Sequence, residues 1–485
     1  MKNRMKNAKW LVLALAISVG LPALGKGEEN RPNMVLFFVD DQSWVGTSVQ
    51  MHPHDPETKS DFFETPALEA MAAAGMRFSD AYSTAPICCP SRTALEFGQT
   101  TARTRVTFNA RNNSTGPGRS IAQTLAPAGY VCGRYGKTGV DHISADELGY
   151  AEHRVWRGNT AGDYDDVPVG DHISANKKRL AADNPKRTPE ITRCGIEFLE
   201  RRAKDEQPFF LYLSYFAVHV FSQATPETIA KYQAKKPGVK HDDIVYAAMT
   251  EELDDALAAV RGKLRELGLD RNTVLIYTAD NGGQFLRANK TTSGEEWDSL
   301  NLPLSGWKAT LNEGGIRVPL LVEGPGIAPN SVSTVPVGGS DILPTLAELA
   351  GVDPADDVDG GSLLPILCNG GKGEVKRVNA PGLVWHQPWR NHGPIYPAAS
   401  ALRMGDWKYL RKWNEPTGRL YNVRTDYSET HNLAGTYPER AAAMKATLDG
   451  YLKKVNAEPA LPERWGLRLW ENQGKPVPPF PADNK

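Results

Sequence analysis

Asn33-Met-Val-Leu-Phe-Phe-Val39 is an unbroken apolar run that stops at two carboxylates, Asp40 and Asp41. A strand apolar at every position has no face to offer water, so it must be covered on both sides, as in parallel α/β sheets. Two more segments read the same way. Pro208-Phe-Phe-Leu-Tyr-Leu-Ser-Tyr215 is followed by His219, and Asn272-Thr-Val-Leu-Ile-Tyr-Thr278 leads to Asp280-Asn281-Gly282-Gly283. Between them, Thr65 to Gly75 has helical spacing with Leu68, Met71 and Ala72 on one face, and Asp242 to Leu267 is a long amphipathic helix. Alternation of this kind predicts an α/β fold: a large mixed, mostly parallel sheet sandwiched by helices.

The pattern changes after about Gly370. Leu383 to His386, Ala401 to Met404 and Trp407 to Leu410 are short strands separated by turn residues, and Tyr437 to Val455 reads as a helix before a Pro-rich end. A boundary near residue 370 follows, with residues 26–370 as the main unit and 371–485 as a smaller subdomain built on an antiparallel sheet. At 485 residues the chain has ample length for both. Ahead of them, Lys2, Arg4, Lys6 and Lys9 precede an apolar run from Trp10 to Leu21, then Pro22 and Ala23-Leu24-Gly25. That is the form of a secretory signal peptide over residues 1–25, and the run is too short for a membrane span. The expected location is therefore exported, periplasmic or secreted, with no membrane span after cleavage. Loss of the four basic residues takes the formal charge from −1 to about −5, which excludes a general affinity for nucleic acid. Five cysteines, odd in number and without a Cys-x-x-Cys pair, fit neither a disulfide framework nor a zinc site.

Open α/β sheets place their sites at the C-terminal ends of strands. There stand Asp40, Asp41, Asp280 and Asn281, oxygen donors that suit a hard cation such as calcium. Taken singly, an Asp pair reads more readily as a helix cap or turn former, and it is the two pairs at the ends of separate buried strands that favour a metal site. Near them in sequence lies Cys88-Cys89-Pro90-Ser91-Arg92. Alone, it could be a Pro-Ser turn after a buried cysteine.

The Cys-x-Pro-Ser-Arg run resembles the signature at which a maturation enzyme oxidises cysteine to formylglycine, the aldehyde of the sulfatases in the alkaline phosphatase superfamily. The resemblance runs in the family's order along most of the chain. It includes Pro32-Asn33 through Asp41, Thr65-Pro66, Gly136-Lys137, Pro208 to His219, Asp254 and Asp280-Asn-Gly-Gly. Further on it covers Gly306-Trp-Lys308, Glu313-Gly-Gly-Ile-Arg-Val-Pro319, Arg403-Met-Gly-Asp-Trp-Lys-Tyr409 and Leu420-Tyr-Asn-Val to Asn432-Leu433. It implies a sulfuric ester hydrolase with one calcium ion held by Asp40, Asp41, the residue made from Cys88, Asp280 and Asn281. A sulfate ester is anionic, so cations must gather its charge. Arg92, Lys137 and Lys308 are the implied cations, and His219 the implied general acid. The hydrated aldehyde would offer two hydroxyls, one to attack sulfur and one to expel sulfate afterwards.

Three departures stand out. Thr138, Gly139 and Val140 follow the Gly-Lys pair where the family usually has a histidine, so His142 is expected as the second base, unless it is a surface histidine. Leu95-Glu-Phe-Gly98-Gln99 replaces the usual Leu-Thr-Gly-Arg, and Val218 stands for a proline. The expected substrate is a sulfated polysaccharide or oligosaccharide, with an algal glycan (carrageenan, ulvan or fucoidan) favoured. The alternatives are a glycosaminoglycan sulfatase and a phosphonate monoester or phosphodiester hydrolase of the same superfamily. The implied partners are that sulfated carbohydrate and a formylglycine-generating or sulfatase-maturating enzyme. His52-Pro-His-Asp-Pro56, Phe108 to Arg119 and Trp385-His-Gln-Pro-Trp-Arg-Asn-His392 are candidate pocket loops, the last with ordinary packing as its alternative.

Overall fold

The computed structural model describes residues 31–108, 118–140, 143–156, 184–220, 222–287, 290–291, 294–295, 298–389 and 398–460. The leader expected over 1–25 and the Pro-rich end lie outside them. No helix among the described residues is long and apolar enough to cross a membrane.

Eight strands form the main sheet: β1 (Asn33–Val39), β2 (Met76–Phe78), β3 (Val131–Lys137), β4 (Glu152–Trp156), β5 (Phe209–Ser214), β6 (Thr273–Ala279), β7 (Leu320–Glu323) and β8 (Ser331–Ser333). Their spatial order is β8-β2-β7-β6-β1-β5-β3-β4. Only β7 opposes its neighbours, β6 and β2; the other pairings are parallel. The expected large, mixed, mostly parallel sheet is the one observed. The principal helices are α1 (Pro66–Ala74), α2 (Cys88–Glu96), α3 (Thr188–Arg202), α4 (Ile244–Glu266), α5 (Ile342–Ala350) and α6 (Pro438–Lys454).

The uniform apolarity of β1 has a direct structural counterpart. Val35, Phe37 and Val39 enter one core with Phe198 of α3 and Leu253 and Leu257 of α4. Met34, Leu36 and Phe38 enter the opposite core with Ile342 and Leu346 of α5. Each such side chain contributes about 1.5–3 kcal/mol on burial. Asp254, in the middle of α4, is explained here as well. Its carboxylate accepts from the backbone N–H groups of Ala67 (2.7 Å) and Leu68 (2.9 Å), at the start of α1. It supplies the cap that Thr65 does not provide.

The expected antiparallel sheet is also present, as Leu383–Gln387, Ala399–Met404, Trp407–Lys412 and Arg419–Asn422 in that order. It packs through Leu383, Trp385, Ala401 and Leu410 onto Tyr82, Leu311 and Ile316 of the main unit. A buried charge network crosses the same junction. Arg317 binds Glu313 (2.7 Å) and the Tyr82 hydroxyl (2.8 Å), while Arg403 of the small sheet binds Asp80 and that same hydroxyl. Burial would raise the Glu313 carboxyl, but Lys408, Arg317 and Arg403 more than reverse this and hold it at about 2.

Arg403→Met is expected to cost about 3 kcal/mol, the scale for stripping one partner from a buried pair, seen as a lower urea midpoint at unchanged slope. With its folded value depressed from the ordinary 4.5 to about 2, Glu313 contributes stability that is present above pH 4.5 and lost as pH falls through about 2. Glu313→Gln should accordingly flatten that part of the stability–pH profile relative to the unsubstituted protein.

Candidate active site

Four neighbouring parallel strands end at one place. β1 delivers Asp40 and Asp41, β3 ends on Lys137, β5 ends on Ser214 ahead of His219, and β6 leads into Asp280 and Asn281. Successive strand residues point to opposite faces, so two adjacent carboxylates cannot share a target while the strand continues. Asp41 breaks the alternation by taking φ 60°, a left-handed conformation Asp tolerates better than most residues. Both carboxylates then reach Cys88, whose Sγ lies 3.3 Å from Asp40 Oδ1 and 3.8 Å from Asp41 Oδ1.

Cys88 is the first residue of α2, a helix buried along its whole length. Burial, and next the nearby Asp40 charge, push its thiol well above the ordinary range. Such a group stays protonated, which suits neither a thiolate nucleophile nor a thiolate metal ligand. Arg92 lies one helical turn on, facing the same way. Its Nε donates to Asp280 Oδ2 (2.8 Å), its Nη1 donates to Ser214 Oγ (2.6 Å), and its guanidinium stacks 4.9 Å from the Phe38 ring centroid. Ser214 in turn donates to the Lys137 carbonyl (2.7 Å).

Lys137 Nζ contacts Asp40, and Lys308 Nζ lies 2.7 and 2.8 Å from the two oxygens of Asp41. His219 Nε2 is 3.6 Å from Asp41 Oδ2, with Nδ1 turned onto the Val220 carbonyl. Burial, with Lys308 adding to it, lowers His219 to about 3, so the ring is neutral. Burial would raise the Asp40 carboxyl, but Lys137, His219, Arg92 and Lys308 overcome it and hold it well below the carboxylate range. At Asp280 burial prevails over Arg92, and the group stands at about 7.

The donor set fits a hard divalent cation. Ligand atoms of Asp40, Asp41, Cys88 and His219 all lie within 4.8 Å of one another. Asn281 Nδ2 donates to Asp41 Oδ1 (2.7 Å), while Asn281 Oδ1 is buried without a hydrogen-bond partner. An orphaned carbonyl oxygen beside carboxylates costs about 1–3 kcal/mol unless something electropositive meets it. Asp280 sits differently from the other expected ligands. Its oxygens are engaged by Arg92 and by the Asp41 N–H (3.1 Å), which puts it at the flank of the cluster.

Two of the sequence departures prove to be one feature. Glu96, in place of the family's threonine, accepts from Arg134 Nη1 (2.9 Å) and from the Tyr150 hydroxyl (2.9 Å). Arg134 Nη2 donates to the Thr138 carbonyl, inside the other departing segment. Arg134 is also stacked 4.6 Å from the Tyr212 ring centroid. The buried pair thus ties the Cys88 helix to the turn that follows Lys137. Gly139 completes the fit: it has φ +59°, and a Cβ there would fall 2.0 Å from Arg92 Cδ. Sequence reading marked Glu96 only as a departure and overlooked Ser214 and Arg134; an arginine inside an otherwise buried strand was the available signal. At the third departure, the Ala217–Val218 peptide is cis.

His142 lies outside the described residues, as do 109–117 and Arg390 to His392 of the candidate pocket loops. Trp389 is an internal side chain, donating Nε1 to Thr107 Oγ1 (3.0 Å) and Glu458 Oε2 (2.9 Å). Trp385 is likewise buried, donating to the Ser83 carbonyl (2.7 Å). Packing is therefore the reading that holds for these two.

Residues 32–352 match the sulfatase family model, and the chain belongs to that family. It is 28% identical to a sulfatase of Formosa agariphila over 94% of this chain and 96% of the relative. It is also 28% identical to the N-acetylgalactosamine-6-sulfatase of Sus scrofa, over 88% of this chain and 80% of the relative. Among solved structures it resembles Ps i-CgsB in complex with k-i-k-neocarrahexaose, at TM-score 0.71 and 22% identity over 92% and 98% of the two chains. BT4656 in complex with D-glucosamine-2-N,6-O-disulfate aligns at TM-score 0.65 and 18% identity over 88% and 98%. The chain is a sulfuric ester hydrolase of the formylglycine-dependent branch of the alkaline phosphatase superfamily.

Gly139→Ala should lower kcat/KM about 100-fold, because a displacement of Arg92 near 1 Å is enough for that. The folded state should survive, as checked by circular dichroism. Unchanged kcat/KM would show that the Arg92 contact is not needed.

Proposed function

We propose that this protein is an exported, calcium-dependent sulfatase that removes sulfate monoesters from a sulfated polysaccharide or oligosaccharide. The observation that carries the reading is the convergence of Arg92, Lys137 and Lys308 on the carboxylates around Cys88. Three cations there face three carboxylates, one of which, Asp280, is raised to about 7 by burial. A divalent ion tips the balance by two positive charges, which an anionic ester requires and a neutral substrate would not.

Oxidised to formylglycine, residue 88 supplies a hydrated aldehyde as oxygen nucleophile. Asp40, Asp41, residue 88, Asp280 and Asn281 would hold the calcium ion, which would supply Lewis-acid polarisation of the ester. Lys137 and Lys308 bind the sulfate oxygens, each as a point charge that can leave its carboxylate partner for the substrate. Arg92, anchored by Asp280 and Ser214, holds the nucleophilic oxygen in register with sulfur. His219 faces the site with Nε2, its Nδ1–H given to the Val220 carbonyl; it acts as general acid to the leaving alcohol once Nε2 takes a proton, which the negative charge of the bound ester favours. His142 takes the remaining proton at residue 88. A sulfated algal glycan is favoured over a glycosaminoglycan, in line with the neocarrahexaose bound by Ps i-CgsB, a protein of the same fold.

The test is sulfate release by the protein co-expressed with a maturation enzyme. Carrageenan, ulvan, fucoidan and glycosaminoglycan oligosaccharides form the panel, with phosphodiester and phosphonate monoester controls. Release from one glycan class is expected, falling by about 10⁴-fold or more in Cys88→Ala. Chelation should abolish it and calcium restore it. Turnover of the phosphorus esters alone would overturn the proposal.

A further inference from the structure

Two C-terminal stretches that resemble the family, Arg403 to Tyr409 and Leu420 to Leu433, have so far no part in the chemistry. Each carries a charged residue that reaches the loop bearing Lys308. The feet of that loop close on each other, with Gly314 N–H donating to the Ser305 carbonyl (2.7 Å). A single oxygen, Glu429 Oε2, then holds both feet. It accepts from Ser305 Oγ (2.5 Å), Asn312 Nδ2 (3.0 Å) and the Glu313 N–H (2.9 Å). Lys408, with a fully buried side chain, stands 2.9 Å from Glu313 Oε1 and 2.9 Å from Glu429 Oε1, neutralising both.

The crown of the loop is secured separately. Lys308 N–H donates to the Gly283 carbonyl (3.0 Å), beside Asp280 and Asn281, and Ala309 N–H to the Pro86 carbonyl (2.7 Å), two residues before Cys88. The Lys308 ammonium is carried on a flexible four-carbon stem, so its placement is only as good as that of its backbone. Glu429 joins the two feet from outside the loop.

We infer that Glu429, with Lys408 as its counter-ion, is a positioning residue that acts through Lys308, coupling the C-terminal segment to the sulfate affinity of the site. The inference rests on the sulfate-binding role proposed above for Lys308. Replacing the Glu429 carboxylate by a neutral amide weakens the acceptor that the three donors share and leaves Lys408 with Glu313 alone as counter-ion. The loop feet then part, and the ammonium at the crown loses its register with Asp41 and the sulfate.

A double-mutant cycle tests this. The matured, calcium-loaded protein is titrated with inorganic sulfate by calorimetry, as the unsubstituted chain, Glu429→Gln, Lys308→Ala and the double variant. Glu429→Gln should raise the sulfate Kd about tenfold when Lys308 is present, and less than about twofold when it is already Ala. Equal weakening in both backgrounds would overturn the inference, because a merely structural role is additive. If Lys308→Ala leaves sulfate binding intact, the proposed role of Lys308 fails first and the positioning role falls with it. Should Glu429→Gln not fold, Ser305→Ala removes one donor to the same oxygen while keeping every charge. In the same cycle it is expected to raise Kd about threefold with Lys308 present and leave it unchanged without.

Discussion

Five charged side chains packed out of water at the strand ends of one sheet, with Lys308 closing over them, set the terms for the rest of this structure. Asp40, Asp41 and Asp280 are fully buried, as is Arg92, and Lys137 is nearly so. An isolated buried charge costs several kcal/mol, so none of these groups is tolerable except in the company of the others. They come from five separate parts of the chain: the ends of β1, β3 and β6, helix α2 and the Lys308 loop. A fold that delivered four of the five would leave an unpaired charge in its interior. The parallel sheet meets the requirement because adjacent strands end side by side, and β1 lies between β5 and β6 at the point where they all terminate.

A second buried charge cluster lies behind the first and is its support. Asp80, Glu313, Arg317, Arg403, Lys408 and Glu429 neutralise one another across the junction with the small sheet. The Lys308 loop is held between the two clusters. Close backbone approach makes that possible: a Cβ at Gly282 would lie 2.0 Å from the Gly314 carbonyl oxygen. The glycines after Asn281 and Glu313 therefore serve contact between the metal-pair loop and the lysine loop as much as local turning.

Much of this was legible in the sequence where the signal is local. Continuous apolarity marked β1, β5 and β6, and carboxylates placed directly after β1 and β6 marked the site. The amphipathic period marked α1 and α4. Signals that depend on a distant partner were not readable. Asp254 is legible in the sequence only as a match to the family's long helix, and the fold alone shows that it caps α1 across the core. Glu96 and the Thr138 to Val140 segment look like separate departures until Arg134, bonded to both, shows why they occur together. Trp389 advertises an aromatic platform, and the structure spends both its ring and its N–H internally.

The chain's own order of residues determined the three central strands, the oxygen donors that end two of them, and the Cys88–Arg92 spacing that puts both side chains on one helix face. These are short-range facts, fixed by period and adjacency. Tertiary structure alone decided that Asp280 serves Arg92 from the flank of the cluster and that Glu429 holds both feet of the Lys308 loop. It also decided that Gly139 yields its space to Arg92. Each of these depends on groups tens to hundreds of residues apart meeting within hydrogen-bond or van der Waals distance. Such meetings follow from how sheet, helices and loops close on one another, and no local pattern in the chain encodes them.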